Sequence, residues 1–252
     1  RLEQAGLEQA ERLVEVTFLV ITATVTVYGL TANPLARKLG IAKPDPQGVL
    51  FVGAHTWARA MAKFLQDNGF KVSLVDSNWG NISSARLDGL NAQYENILHE
   101  DVSEELDLEG IGKLLAVTPN DEVNSLAALN FIELFGRSQV YQLPRQSKFR
   151  AMTEQAIPKH LSGRLLFTPE ATYSNLSAKF GSGAVIKKVP LTAEFGFDAF
   201  KDLYGEKAVL MFLIKEGGEL LVFAHDNSPL PQPGHQIVAL VSNNAESKNE
   251  RA

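Results

Sequence analysis

The 252-residue chain carries 24 Lys and Arg against 29 Asp and Glu, a formal net charge of -5, and its basic residues are scattered. That balance gives no electrostatic footprint for a phosphate backbone and excludes nucleic acid as an expected partner. With no cysteine there are no disulfides or thiolate metal sites, and His55, His99, His160, His225 and His235 lack the short pair spacing of a zinc site, so no metal is expected.

Residues 1–12 form a polar, membrane-proximal segment rich in Glu and Gln, unlike the plain basic start of a secretory signal. Residues 13–31 read as a transmembrane helix. From Leu13 to Leu30 the only formal charge is Glu15, and this length sits at the lower edge of the roughly 17 to 25 residues that cross a hydrocarbon layer. A buried helix of a soluble protein is the alternative. Thr17, Thr24 and Thr31 recur every seven residues and Thr22 and Thr26 every four, which gathers hydroxyls along one helix side suited to contact with other membrane helices. Arg37, Lys38 and Lys43 after the segment, against Arg1 and Arg12 before it, favour a cytoplasmic C-terminal side. The chain begins with Arg, which we read as a piece of a longer protein whose upstream part holds further membrane helices, the partners of this one.

Asn33-Pro34 is expected to stop the helix, and 32–46, ending in Pro44-Asp45-Pro46, is a linker. Residues 47–147 then alternate. Val49 to Val52 is a short buried strand, and Trp57, Met61, Phe64 and Leu65 place bulky groups on one face of a helix ending at Asn68-Gly69. Lys71 to Val75 is a strand, Asn81 to Leu90 a helix, Tyr94 to Leu98 a third strand and Lys113 to Val117 a fourth. Asp121 to Phe135 is a long helix closed by Gly136, and Gln139 to Leu143 a fifth strand. Such alternation predicts an α/β fold, a parallel sheet with helices on both faces. From about Phe149 the rhythm changes: 148–163 is a connecting helix, and 164–243 a small α+β domain. Its strands are Ala184 to Val189, Val209 to Ile214, Leu220 to Phe223 and Ile237 to Val241, with Gly217-Gly218 a hairpin signal. The polar tail 244–252 is expected to be disordered.

The first strand opens a dinucleotide-type turn in which Gly53, His55 and Ala58 hold the three glycine positions, with Asp76 where a ribose carboxylate belongs. Ala58 is an accepted variant. His55 is the departure, because a side chain there crowds a phosphate pair that normally touches bare backbone. Amide groups following Thr56 provide a helix N-terminus for an anion. Thr118 and Asn120 fall at the C-terminal end of a central strand, where such sheets bind ligands, and Asp121 is placed to cap the next helix.

Four phrases together resemble the regulator-of-potassium-conductance (RCK) domain, also called TrkA-N: Val52-Gly53-Ala54, Val75-Asp76, His99-Glu100-Asp101, and Thr118-Pro119-Asn120-Asp121-Glu122-Val123-Asn124. The resemblance covers about Gly48 to Gln146 and implies a Rossmann-like fold with Asp76 on a ribose and Asp101 near an adenine. Glu100 replaces the glycine usual before that second acid. The implied ligand is NAD(H) or another adenine nucleotide, its contacts Gly53, Ala54, His55, Thr56, Trp57, Asp76, Asp101, Thr118 and Asn120. Pro190-Leu191-Thr192 and Pro233 to Leu240 resemble the companion C-terminal domain of the same regulators. Leu30, Thr31, Pro34, Leu35, Ala36, Arg37, Leu39 and Gly40 are similar to the end of the last membrane helix of bacterial sodium/proton antiporters of the monovalent cation:proton family.

These resemblances imply a nucleotide-sensing module of a cation transporter in the cell membrane, with its soluble domains cytoplasmic and a homodimer formed through the Rossmann-like domain. The rival readings are a potassium channel or uptake regulator, and a ligand-free oligomerisation scaffold. An NAD-dependent oxidoreductase has little behind it, since Tyr173, Lys187 and His225 make no evident proton donor beside a substrate pocket.

Overall fold

A computed structural model of the chain describes residues 2–38, 46–99, 101–146, 162–205 and 208–242, of which 2–13, 33 and 36–38 are described by their backbone only. The chain divides into two compact units, residues 1–45 and 46–252. Helix α1, Leu2–Lys38, contains a 19-residue stretch, Val14–Ala32, of mean hydropathy 1.6, long and apolar enough to cross a membrane. Val14, Phe18, Ile21, Val25 and Leu30 are all more than half exposed. The helix does not stop at Asn33-Pro34 as the sequence suggested, and the segment expected to be linker starts as helix. Pro34 takes one N–H out of the ladder close to the C-terminal end, where few later turns depend on it, and the helix continues to Lys38.

The second unit holds two sheets. The first comprises β1 (Gly48–Val52), β2 (Val72–Asp76), β3 (Asn91–Tyr94), β4 (Ile111–Ala116), β5 (Val140–Gln142) and β6 (Arg164–Leu165), in the order β3-β2-β1-β4-β5-β6 and parallel throughout. Central strands must be apolar on both faces, and β1 is buried from end to end. On one side lies α2 (Thr56–Asp67), burying Trp57, Ala58, Met61, Ala62 and Leu65, with α3 (Trp79–Leu87) after β2. On the other lies α5 (Asp121–Phe135), burying Ala127, Ala128 and Phe131; α4 (Val102–Glu105) is a single turn.

Two differences from the sequence reading concern this sheet. The third strand runs from Asn91 to Tyr94 rather than Tyr94 to Leu98: it is an edge strand with one partner, so its residues look polar, while apolar Ile97 folds under with Val102 and Leu106. After residue 147 the sheet gains one more short strand, β6, beside β5. The expected helix at 149–160 and the tail 244–252 lie outside the described residues.

The second sheet, β7 (Val185–Pro190), β8 (Val209–Ile214), β9 (Leu220–Val222) and β10 (Gln236–Val241), is antiparallel in the order β7-β10-β8-β9. Gly217-Gly218 forms its hairpin, with Lys215 N–H donating to Glu219 O at 3.0 Å. Helices α6 (Tyr173–Gly181) and α7 (Phe197–Tyr204) complete this part. One hydrophobic cluster runs through both sheets, from Phe51 and Met61 to Leu176, Met211 and Phe212.

Arg164 ties β6 to both halves. Its guanidinium donates to Asp226 Oδ1 at 3.0 Å, Ser138 O at 3.2 Å, Tyr141 Oη at 3.3 Å and Asn227 O at 3.2 Å, and lies over the Tyr141 ring. A lysine has neither the fork nor the planar face to reproduce this. Arg164→Lys should therefore lose about 2 kcal/mol, roughly 4–8 °C in the thermal midpoint, while Asp226→Asn, which removes an exposed partner's charge alone, should lose well under half of that.

Candidate functional site

The strand order reverses direction between β1 and β4, so their C-terminal ends open a crevice at the position where such sheets take ligands. The chain leaves β1 through Gly53, whose φ of +110° favours glycine and whose absent Cβ would meet Thr118. Ala54 follows, buried. Its N–H donates to Asp76 Oδ2 at 2.8 Å, and Asp76 also accepts from Asn78 N–H (Oδ1, 2.8 Å) and Asn81 Nδ2 (Oδ2, 2.8 Å). The acid at the end of β2 thus clamps the β1–α2 loop to the start of α3. A carboxylate offers about four lone-pair positions, so three donors leave one free, on Oδ1.

His55 takes the place expected of a second glycine. Its ring is wedged across the crevice: Nε2–H donates to Val117 O, just beyond β4, at 2.7 Å. The rings of Trp57 and Tyr173 pack against it with centroids 4.3 and 4.9 Å away. Burial lowers the His55 pKa, outweighing the Val117 carbonyl and the Asp76 charge that raise it. The lowered pKa favours the neutral ring, with its proton on Nε2 facing the Val117 carbonyl, and its buried Nδ1 has no hydrogen-bond partner. That state fits hydrophobic packing, and a phosphate-binding imidazolium is not what the surroundings favour. Thr56 is exposed at the α2 N-terminus. Trp57 is 4% exposed, its Nε1–H donates to Ser177 Oγ at 3.0 Å and its ring stacks on Phe180, so its side chain belongs to the contact with α6.

Across the crevice, Thr118 is held by Asn124, whose Oδ1 accepts from Thr118 N–H (2.9 Å) and Oγ1–H (2.8 Å) and whose Nδ2 donates to Thr118 O at 2.9 Å. Asn124 is 1% exposed. The helix cap expected of Asp121 is supplied one residue earlier: Asn120 Oδ1 accepts from Glu122 and Val123 N–H, because the cap must keep extended backbone while Asp121 is already helical. Asp121 instead accepts from Gln146 N–H at 3.1 Å.

The structure brings Gly53, Ala54, His55, Asp76 and Thr118 together, with Asn120 and Thr56 at the rim. Asp101 is exposed at the start of α4, and no described hydrogen bond joins it to the crevice. Sequence reasoning missed Trp79 and Tyr94. Trp79 opens α3 at 59% exposed, Tyr94 ends β3 beside Asp76 at 49% exposed, and their rings meet edge to face at 5.6 Å. The signal available was a tryptophan three residues after the ribose-type acid. Tyr173, named in the sequence only as no evident proton donor, packs edge to face against the His55 ring. Among the described residues no group of three or more His, Asp and Glu could hold a metal.

Residues 49–157 match the family model of the TrkA-N domain. No curated protein matches the chain in sequence. Among solved structures it is similar to the NAD(P)-binding domain of an exopolyphosphatase-related protein from Archaeoglobus fulgidus, at 17% identity and TM-score 0.41, covering 54% of this chain and 94% of that one. It is also similar to the GsuK channel bound to NAD, at 13% identity and TM-score 0.41, covering 84% of this chain and 39% of that one. A third is the TrkA-N domain of inner membrane protein ybaL from Escherichia coli, at 15% identity and TM-score 0.36, covering 44% of this chain and 82% of that one. The chain thus spans well under half of the GsuK channel chain, and with every score below 0.5 the fold assignment rests on the sheet order and the crevice. The segment 49–157 that matches the TrkA-N model holds the strands β1 to β5 of that sheet.

Proposed function

We propose that the chain is the nucleotide-sensing regulatory part, with one membrane helix, of a monovalent-cation transporter, a sodium/proton antiporter. The observation that carries the reading is the crevice between β1 and β4, lined by Gly53, Asp76 and Thr118 inside a TrkA-N match. The exposed apolar stretch Val14–Ala32 supports a place in the cell membrane, with the soluble unit on the cytoplasmic side where nucleotides are. On α5, Leu126 and Leu129 lie 46% and 40% exposed, a patch suited to a homodimer through the Rossmann-like domain. An adenine nucleotide, NAD(H) among them, would regulate transport by binding one arrangement of paired modules better than another and so biasing the upstream membrane helices. In this reading the crevice residues bind and position a ligand, and among the described residues that line it none is arranged as an acid–base pair for catalysis.

The test is the thermal midpoint of the full chain in detergent with millimolar NADH, NAD, AMP or ATP. A ligand at about 100 times its Kd should add about 2.7 kcal/mol, a rise of several degrees. A second reading, the ligand-free scaffold, draws on His55 filling part of the crevice; no shift with any of the four nucleotides would favour it.

A further inference from the structure

We infer that His55 is a proton-operated latch: with a neutral ring it holds the β1–α2 loop against α6, and a proton taken up on Nδ1 parts the two. The ring touches three elements at once. Nε2–H donates to Val117 O at 2.7 Å, and the rings of Trp57 on α2 and Tyr173 on α6 meet it edge to face at 4.3 and 4.9 Å between centroids. Trp57 extends the seam along α6, its Nε1–H donating to Ser177 Oγ at 3.0 Å and its ring stacking on Phe180 at 6.0 Å. His55 is the ring at the crevice end of this stack, so its departure takes packing from both helices.

Nδ1 is what makes the seam sensitive to protons. It is buried and, among the described residues, has no hydrogen-bond partner. A neutral ring leaves a bare acceptor there, whereas a protonated ring has an N–H and a positive charge with no acceptor to receive them, the costlier of the two. The surroundings do not supply the missing partner. From the end of β2 Asp76 faces the ring, but Ala54 N–H, Asn78 N–H and Asn81 Nδ2 already draw on its carboxylate. From α2 Arg59, tied to Ala54 O and Asp88, opposes a second positive charge. The Tyr173 phenol ring comes from α6, and the Val117 carbonyl beyond β4 is engaged by Nε2–H. Burial therefore outweighs Asp76, and the packed ring takes its proton at a lower pH than the ordinary 6.5 of a histidine. A ring freed into water takes it near that ordinary value, so as pH falls the open form binds more protons and the closed form loses stability. Neutral pH closes the latch and acid opens it.

The chain has two tryptophans, Trp57 buried and Trp79 exposed, so Trp79→Phe leaves Trp57 as the reporter beside the ring. This variant of the full chain, in detergent, is titrated from about pH 8 to about pH 5. Trp57 emission is expected to shift to the red along a one-proton curve with its midpoint below 6.5. His55→Gln in the same background keeps a donor for Val117 but cannot titrate, and should remove the curve. In the unmodified chain, hydrogen exchange over Tyr173–Gly181, corrected for the intrinsic effect of pH, should quicken by about tenfold or more between the same limits. Emission that stays constant across the range overturns the inference, as does a curve that persists unchanged in His55→Gln. Should the glutamine variant not fold, the exchange measurement decides, and equal protection of α6 at both limits overturns it. No nucleotide enters these readings, so failure of the latch leaves the nucleotide-sensing reading untouched.

Discussion

Asn124→Ala is expected to lower the thermal midpoint of the chain by about 6–12 °C, equivalent to about 3 kcal/mol, the largest effect of any single polar substitution near the crevice. The side chain makes three hydrogen bonds to one residue, taking the N–H and hydroxyl of Thr118 and donating to its carbonyl. At 1% exposure no water can step in, so truncation strands a backbone donor and acceptor at the end of a central strand. Asn124→Asp is the sharper control. A carboxylate can still accept from Thr118 N–H, but it turns a lone pair toward Thr118 O where the amide offered a donor, and should be no better tolerated than alanine. Circular dichroism melts of the three proteins check this; a loss of less than about 1 kcal/mol in the alanine variant would show that the loop re-forms without its clamp.

Asp76→Asn should be nearly as harmful to the site as Asp76→Ala, although it is isosteric. The carboxylate accepts from three donors, Ala54 N–H and Asn81 Nδ2 on one oxygen and Asn78 N–H on the other. An asparagine keeps one acceptor, so its amide must point a donor at one of those donors. Each variant should lose about 2 kcal/mol, discounted for partial solvent access, and should abolish the nucleotide-dependent rise in melting temperature. Urea unfolding with and without 5 mM AMP, a concentration of about the order used for weak ligands, separates the two effects. Retention of the full AMP shift in Asp76→Asn would remove Asp76 from the binding machinery.

The sequence disclosed the sheet because buried strands leave unbroken apolar runs: Val49 to Val52, Val209 to Ile214 and the helix Asp121–Phe135 were legible to within a residue. Edges were not. β3 and β6 each have a single partner and few buried residues, so their runs read as loop or as another element, and one strand of each kind was misplaced or missed. Pro34 misled in the opposite sense, since a proline late in a long helix removes one bond without ending it.

At the candidate site, Gly53, Asp76 and Thr118 were visible because the crevice demands particular residue types from them. The identity of His55 was also visible, but its role depends on Val117 and Tyr173, one 62 residues away and the other contributed by α6, and no local pattern records such a meeting. Trp79 was hidden for a different reason. Its spacing from Asp76 was the one sequence signal, and its exposure at the start of α3 becomes visible only in the folded chain.

Gln47 stands at the threshold of the soluble unit, and its side-chain oxygen accepts both from Lys113 Nζ at 3.1 Å, on β4, and from Leu220 N–H at 2.8 Å, at the start of β9. One atom therefore pins the first residue ahead of β1 to the middle of one sheet and the rim of the other. Any slippage between the two sheets larger than the slack of a hydrogen bond must tear one of those pins.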